Sequence, residues 1–218
     1  MTDSGDHDRE HDGDDHGPKA RVETGSDGEP PAMTRFPVPD IDDLPEDLRE
    51  RIREEAADAG FVPNVFLAYG YAPEQFRAFF GYYDAVVDSA ELSREEIEMV
   101  VVTVSGANDC YYCNVAHGAL LRLYGDDPLL ADQLVANHRH ADLSERHRAM
   151  LDFAVTLTEN QARVDDAAVE ALLEAGLSRR EVWDVGAVTA LFNLSNRMAQ
   201  LADMRPDPEF HTMGRGGD

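Results

Sequence analysis

Twice in this chain the tripeptide Leu-Ser-Arg opens a long apolar stretch: LSREEIEMVVVTVSGANDC at 92–110 and LSRREVWDVGAVTALFNLSNRMAQL at 177–201. In each, a serine precedes a glutamate by three residues, Ser93 with Glu96 and Ser178 with Glu181. That spacing is a capping box. The serine hydroxyl accepts an N–H of the first helical turn, and the glutamate accepts the N–H of the serine. Both segments therefore start helices, and the apolar run behind each makes the helix a buried one. The string MVVVTV alone is β-branched enough for a strand, but the cap, the length and the helical neighbours decide for a helix. Each stretch reaches an asparagine fifteen residues after its serine, Asn108 and Asn193. Two readings stand side by side: a degenerate internal repeat of one helical unit, or two uses of a common helix start. The second unit has no cysteine, so any thiol chemistry belongs to the first.

The rest of the chain agrees with these two anchors. Pro45 opens EDLRERIREEAADAG, an amphipathic helix that stops at Gly60. A short apolar segment lies between Pro63 and Pro73. PEQFRAFFGYYDAVV then places Phe76, Phe79, Phe80, Tyr83, Val86 and Val87 near helical spacing, an aromatic stripe that reads as core. A helix over about 109–124 ends at Gly125, and further segments begin near Asp126, at Ser144, near Asp165 and at Ser178. The expected fold class is all-α, a multi-helix bundle of about eight helices over residues 36–205. Residues 206–218, RPDPEFHTMGRGGD from Arg205 on, read as a frayed end.

Residues 1–35 read as a disordered acidic tail, because they hold too few large apolar side chains to offset the entropy of ordering. His7, His11 and His16 sit among its aspartates and read as a solvated, low-complexity composition rather than a metal site. The whole chain carries 44 acidic residues against 19 basic ones, a formal net charge of −25, and its one lysine is Lys19. Nucleic acid and anionic membranes are disfavoured as partners, since binding either needs basic patches. With no apolar run long enough to span a bilayer and no secretory leader, the expected location is the cytoplasm. An acidic, lysine-poor surface suits a cytoplasm of very high salt, where screening relieves the self-repulsion. Greater stability in multimolar KCl than at low salt is the expectation; a melting experiment showing the reverse ends it.

Both cysteines lie in NDCYYCNVAH, residues 108–117. On a helix Cys113 meets Cys110 at i−3 on one side and His117 at i+4 on the other. Asn108 or Asp109 is the expected N-cap, which would put Cys110 in the first turn, where free N–H groups and the helix dipole favour a thiolate. A structural zinc site needs four ligands. Here the fourth would have to come from Glu98, His138 or His140. A dithiol that opens and closes a disulfide needs only the pair and a proton acceptor. His117 titrates near neutrality and can take the thiol proton, and Glu98, twelve residues before Cys110, can orient its imidazole. The helix start favours Cys110 as the more acidic thiol, whereas His117 one turn from Cys113 favours the other order; the residues alone leave this open.

Other polar and aromatic residues read as structure. Asn193, Asn196 and Arg197 are expected in hydrogen bonding between helices. Trp183 is expected in the core or at an interface. His138, His140 and His147, in an arginine-rich stretch, are expected at the surface.

Glu98, then Cys110, Tyr111, Tyr112, Cys113, Asn114, Val115, Ala116 and His117, resembles the alkylhydroperoxidase AhpD / carboxymuconolactone decarboxylase superfamily, and with GFVPNVFLAYGYAP upstream it looks most like the branch of peroxidase-related enzymes. The resemblance covers about residues 40–205. It implies an all-helical fold assembled into trimers or hexamers, and a thiol peroxidase that reduces organic hydroperoxides or hydrogen peroxide without a cofactor or metal. It implies that Cys113 attacks, that Cys110 resolves, that Glu98 and His117 relay protons, and that a dithiol of the lipoyl or thioredoxin type restores the pair. The sequence departs from the relay pattern at Tyr112, a candidate for the lining of the site, which stands where relay members carry a histidine. Within the superfamily the alternative is a decarboxylase-like lyase; outside it, a non-enzymatic zinc-stabilised helical protein.

Overall fold

A computed structural model describes residues 31–216. Ten α-helices follow in order: α1 (Glu46–Ala59), α2 (Asn64–Gly70), α3 (Pro73–Ser89), α4 (Arg94–Ala107), α5 (Tyr111–Tyr124), α6 (Leu130–Asn137), α7 (Glu145–Glu159), α8 (Asp166–Glu174), α9 (Arg179–Ala202) and α10 (Pro208–Thr212). Three short 3₁₀ turns join them, and no strand occurs among the described residues. The all-α expectation holds, with α2 and α10 as short helices beyond the eight expected.

α4 is the central element. Met99, Val100, Val101, Val102 and Val104 are wholly buried, and α5, α6, α7 and α9 pack around it. Each such side chain contributes about 1.5–3 kcal/mol on burial, enough to override the weak helix propensity of a valine run. A second apolar cluster joins α1, α2, α3, α5 and the two ends of the described chain, and both cysteines belong to it.

Both capping boxes are present, on α4 and on α9. One arginine of α7 holds the two together: Arg146 donates to Glu96 at 2.7 Å and to Glu181 at 2.5 Å. The paired asparagines meet as well, since Asn108 Nδ2 donates to Asn193 Oδ1 at 3.1 Å and to Asn196 Oδ1 at 2.9 Å. The two units match over their starts and diverge after the asparagine. α4 stops there, whereas α9 runs straight on to Ala202.

The ends of the domain differ from their expected bounds. Of the 1–35 tail, residues 1–30, with His7, His11 and His16, lie outside the described residues. Ala32 and Met33 are buried, and Met33 bridges to Met204. At the other end the stretch read as frayed forms α10, because Phe210 buries its ring and the Asp207 carboxylate accepts the Asn64 N–H that starts α2.

Candidate active site

The site lies where α4 breaks and α5 begins. Asn108 closes α4 and Asp109 takes a left-handed conformation, φ 52°. Neither can then cap the next helix. Cys110 is itself the N-cap of α5, and its sulfur accepts the Cys113 N–H at 3.4 Å. The expectation that Cys110 sits in the first turn is corrected by one position, and the left-handed Asp109 is the reason. The sulfur thus performs the task of a capping oxygen and holds Cys113 one turn along the same face.

Both cysteines are free and buried, and their side chains hydrogen-bond each other. The hydrogen bond from Cys113 holds the Cys110 thiol below its ordinary value against the effect of burial. The same bond, and then burial, pushes Cys113 well up. Asn196 lies beside both sulfurs and Ser195 beside Cys113, and each favours the thiolate.

His117 Nδ1 lies 2.8 Å from Glu98 Oε2, and Glu98 is fully buried. A carboxylate only accepts, so Nδ1 carries the proton and Nε2 is the free base. The edge-on ring of Phe192, 4.7 Å away, fixes the imidazole plane. The Glu98–His117 contact is direct, so no intervening side chain is needed to join them. Tyr112 has a different task. It is buried, and its hydroxyl accepts the Val65 N–H at 3.2 Å, which ties α5 to the start of α2.

Cys113 and His117 line a cavity of about 170 Å³ walled by Phe66, Phe79, Phe80, Tyr83, Phe192 and Phe210, with Ser195 beside the thiol and Glu55 also contributing to the lining. Burial raises the Tyr83 hydroxyl, so it stays protonated. Burial likewise raises Asp207, below Phe210, to about 6. The aromatic stripe of α3 is therefore both core and cavity wall. Sequence reading did not single out Ser195, Phe192 or Phe210. One signal existed for Ser195, which stands seventeen residues after Ser178 as Cys110 stands seventeen after Ser93.

Of the residues considered as remote metal ligands, Glu98 and His138 have other partners and His140 is exposed. His138, expected at the surface, is buried and pairs with Asp152 at 2.8 Å, while Glu98 is held by His117. His147 lies 3.6 Å from Glu96. No cluster of three or more metal-ligating side chains occurs among the described residues. Trp183 is 73% exposed on α9, because the α9 face toward α4 is occupied by Asp184, Val185 and Val188.

An all-helical bundle with a CxxC pair at a helix start, a buried glutamate and a histidine one turn on defines a class before any comparison is made. The model of the carboxymuconolactone decarboxylase family matches residues 73–129, which span α3 to the end of α5. An alkylhydroperoxidase AhpD core, an uncharacterized peroxidase-related protein from Ralstonia eutropha JMP134, superposes with a TM-score of 0.84 at 49% identity, covering 87% of this chain and 100% of that one. An uncharacterized peroxidase-related protein from Silicibacter sp. TM1040 gives 0.80 at 38% identity, covering 86% of this chain and 97% of that one. The debrominase Bmp8 shares the fold alone, with a TM-score of 0.66 at 20% identity over 78% of this chain and 91% of that one. No curated protein sequence matches. The chain belongs to the AhpD-like / carboxymuconolactone decarboxylase superfamily. Among the described residues no helix is long and apolar enough to cross a membrane.

Proposed function

We propose that this protein is a thiol-dependent hydroperoxide reductase that cycles Cys110 and Cys113 between dithiol and disulfide. One observation carries the reading: His117, oriented by the buried Glu98 carboxylate, lines the same cavity as Cys113. A nucleophile and an oriented base beside a largely apolar cavity are the parts that thiol attack on a peroxide requires.

The steps balance as follows. His117 Nε2 takes the Cys113 proton. The thiolate attacks the terminal peroxide oxygen, the O–O bond breaks, and the alkoxide leaves with the proton that His117 returns. Cys113 is now a sulfenic acid. Cys110 attacks that sulfur, its own proton passes to the departing hydroxide, and the disulfide forms with release of water. A lipoyl- or thioredoxin-type dithiol supplies the two electrons that restore the thiols. No metal or cofactor enters these steps.

The lining favours an organic hydroperoxide over hydrogen peroxide, because six aromatic rings leave little that hydrates a small polar molecule. Exposed Tyr71, Tyr82, Tyr124 and Trp183 support assembly into a homo-oligomer, trimer or hexamer. A lyase acting on a lactone would have no use for the dithiol. A zinc-stabilised structural protein predicts about one zinc per chain, lost together with the fold under a chelator.

The test is hydroperoxide consumption with a dithiol reductant, for wild type and Cys113→Ser. Consumption is expected in the first and not in the second, with mass spectrometry showing loss of two hydrogens between the cysteines. Equal rates overturn the reading. Glu98→Gln and His117→Ala are expected to slow thiol oxidation by roughly 10²–10⁴-fold.

A further inference from the structure

The two sulfurs do not share one opening. Cys113 lines the aromatic cavity with His117. Cys110 lines a separate cleft of about 190 Å³, with Arg35, Asp109, Gln200 and Asp203 on its polar wall. Tyr112 is the one residue common to both linings, and its buried ring with the Val65 hydrogen bond makes it a fixed partition. α5 and α9 border both spaces. α1, α2, α3 and α10 complete the cavity, and the segment at Arg35 with Asp203 and Met204 completes the cleft.

We infer that the disulfide is made from one side and opened from the other: the peroxide reaches Cys113 through the aromatic cavity, and the dithiol reductant reaches Cys110 through the polar cleft. This rests on the peroxidase reading for its oxidation step only. A reductant thiolate attacks the Cys110 sulfur and the Cys110–Cys113 bond breaks. Cys113 leaves as a thiolate beside Ser195 and Asn196, and His117 Nε2 passes to it the proton that the reductant's first thiol gave up to solvent. The reductant's second thiol then attacks its own bonded sulfur, closes the reductant's disulfide and releases Cys110, which takes the proton that thiol gives up. Two electrons and two protons have passed to the protein. Attack in this order suits the pair. Once Cys110 is bonded to the reductant it no longer hydrogen-bonds Cys113, and the foremost cause that raised the Cys113 thiol is gone.

Two properties of the cleft fit a dithiol. Its wall is mixed in charge, Arg35 against Asp109 and Asp203, so it lacks the strongly one-sided charge of the whole chain. Cys110 itself is buried, 1% exposed, so a slender thiol reaches it and a broad surface does not.

The inference is tested on the disulfide form made with diamide, which needs no peroxide. The protein is mixed with a monothiol, quenched in acid and mapped by mass spectrometry; the adduct is expected on Cys110, and an adduct on Cys113 overturns the inference. Two rim variants separate the routes. Gln200→Trp, in the cleft, is expected to slow reduction by dithiothreitol at least about tenfold through lost access, with the rate of peroxide-driven oxidation unchanged. Ala59→Trp, on the cavity, is expected to do the reverse. Equal effects of each variant on both half-reactions overturn the inference. If peroxide never oxidises the pair while the monothiol still lands on Cys110, the peroxidase reading falls and the two-sided access stands.

Discussion

α4 and α9 begin on the same capping box, yet α4 stops at Asn108 while α9 continues past Asn193 for nine more residues to Ala202. In α4 the left-handed Asp109 ends one helix and lets Cys110 start the next. Its sulfur gains a backbone donor and a neighbouring thiol. In α9 the counterpart position, Ser195, stays inside a continuous helix and presents a hydroxyl to Cys113 instead. One helix start used twice thus yields a pair of thiols on one side and polar side chains beside them on the other. The difference lies in a single backbone break, while the fastening between the units is shared.

That comparison can be broken at its fastening. Arg146→Ala leaves Glu96 and Glu181, both largely buried, without their common cation. The expected loss is about 3 kcal/mol, read as a fall in Tm of about 6–12 °C for a domain of this size. The same pair sets an acid limb. Burial raises Glu96, but the hydrogen bonds from Arg146 and Ser93 outweigh it, so its folded pKa lies below the ordinary 4.5. Arg146 likewise lowers Glu181. A group depressed on folding stabilises above its unfolded pKa, and that stability is lost as pH falls through the folded value. Wild-type Tm is therefore expected to drop below about pH 4.5, and in Arg146→Ala that drop shrinks. An unchanged acid limb would sink the shared-clamp account.

Asn196→Leu cuts the seam between the units. It removes the acceptor for Asn108 and the donor to Ser105, all buried or nearly so. About 2 kcal/mol is expected from the unpaired groups left behind, measured by urea midpoint. The pH midpoint for alkylation of Cys110 is expected to rise, since the polar Asn196 beside it lowers that thiol and an apolar Leu does not. A loss of stability with no shift in that midpoint would confine Asn196 to packing.

The break itself gives smaller effects. Asp109→Val places a β-branched residue at φ 52° and is expected to cost about 1–2 kcal/mol, whereas Asp109→Gly relieves the backbone and is expected to be neutral or stabilising. Cys110→Ala loses the cap of α5, about 1 kcal/mol, while Cys110→Ser keeps it. Equal denaturation midpoints for the Ala and Ser variants would show that the sulfur does not cap.

Much of the fold was legible in the sequence because its signals are local. A capping box acts within four residues, and an apolar run needs only a partner face. The grouping of Cys110, Cys113 and His117 was legible for the same reason, as i,i+3 and i,i+4 neighbours on one helix. The bundle class, the start of α4 and the start of α9 follow from Ser93, Glu96, Ser178 and Glu181 alone. Less legible were the N-cap position, where a left-handed aspartate displaced the expected cap, and His138, whose burial depends on Asp152 fourteen residues on. The two ends of the domain were harder still. Met33 and Phe210 are single apolar residues in polar surroundings, and only a preformed surface can bury them.

By itself, then, the sequence determined that the chain is helical, where its two most buried helices begin, and that two thiols and an imidazole share one helix and its cap. Tertiary structure decided what that helix can do. It set Glu98 2.8 Å from His117, closed an aromatic cavity over one sulfur with Phe192 and Phe210, and left the other sulfur on a polar cleft behind Tyr112. The physical reason is range. Caps and helical periodicity act over one or two turns, whereas burial and the pairing of buried polar groups join residues 19 to 91 apart in the chain, and only packing brings those together.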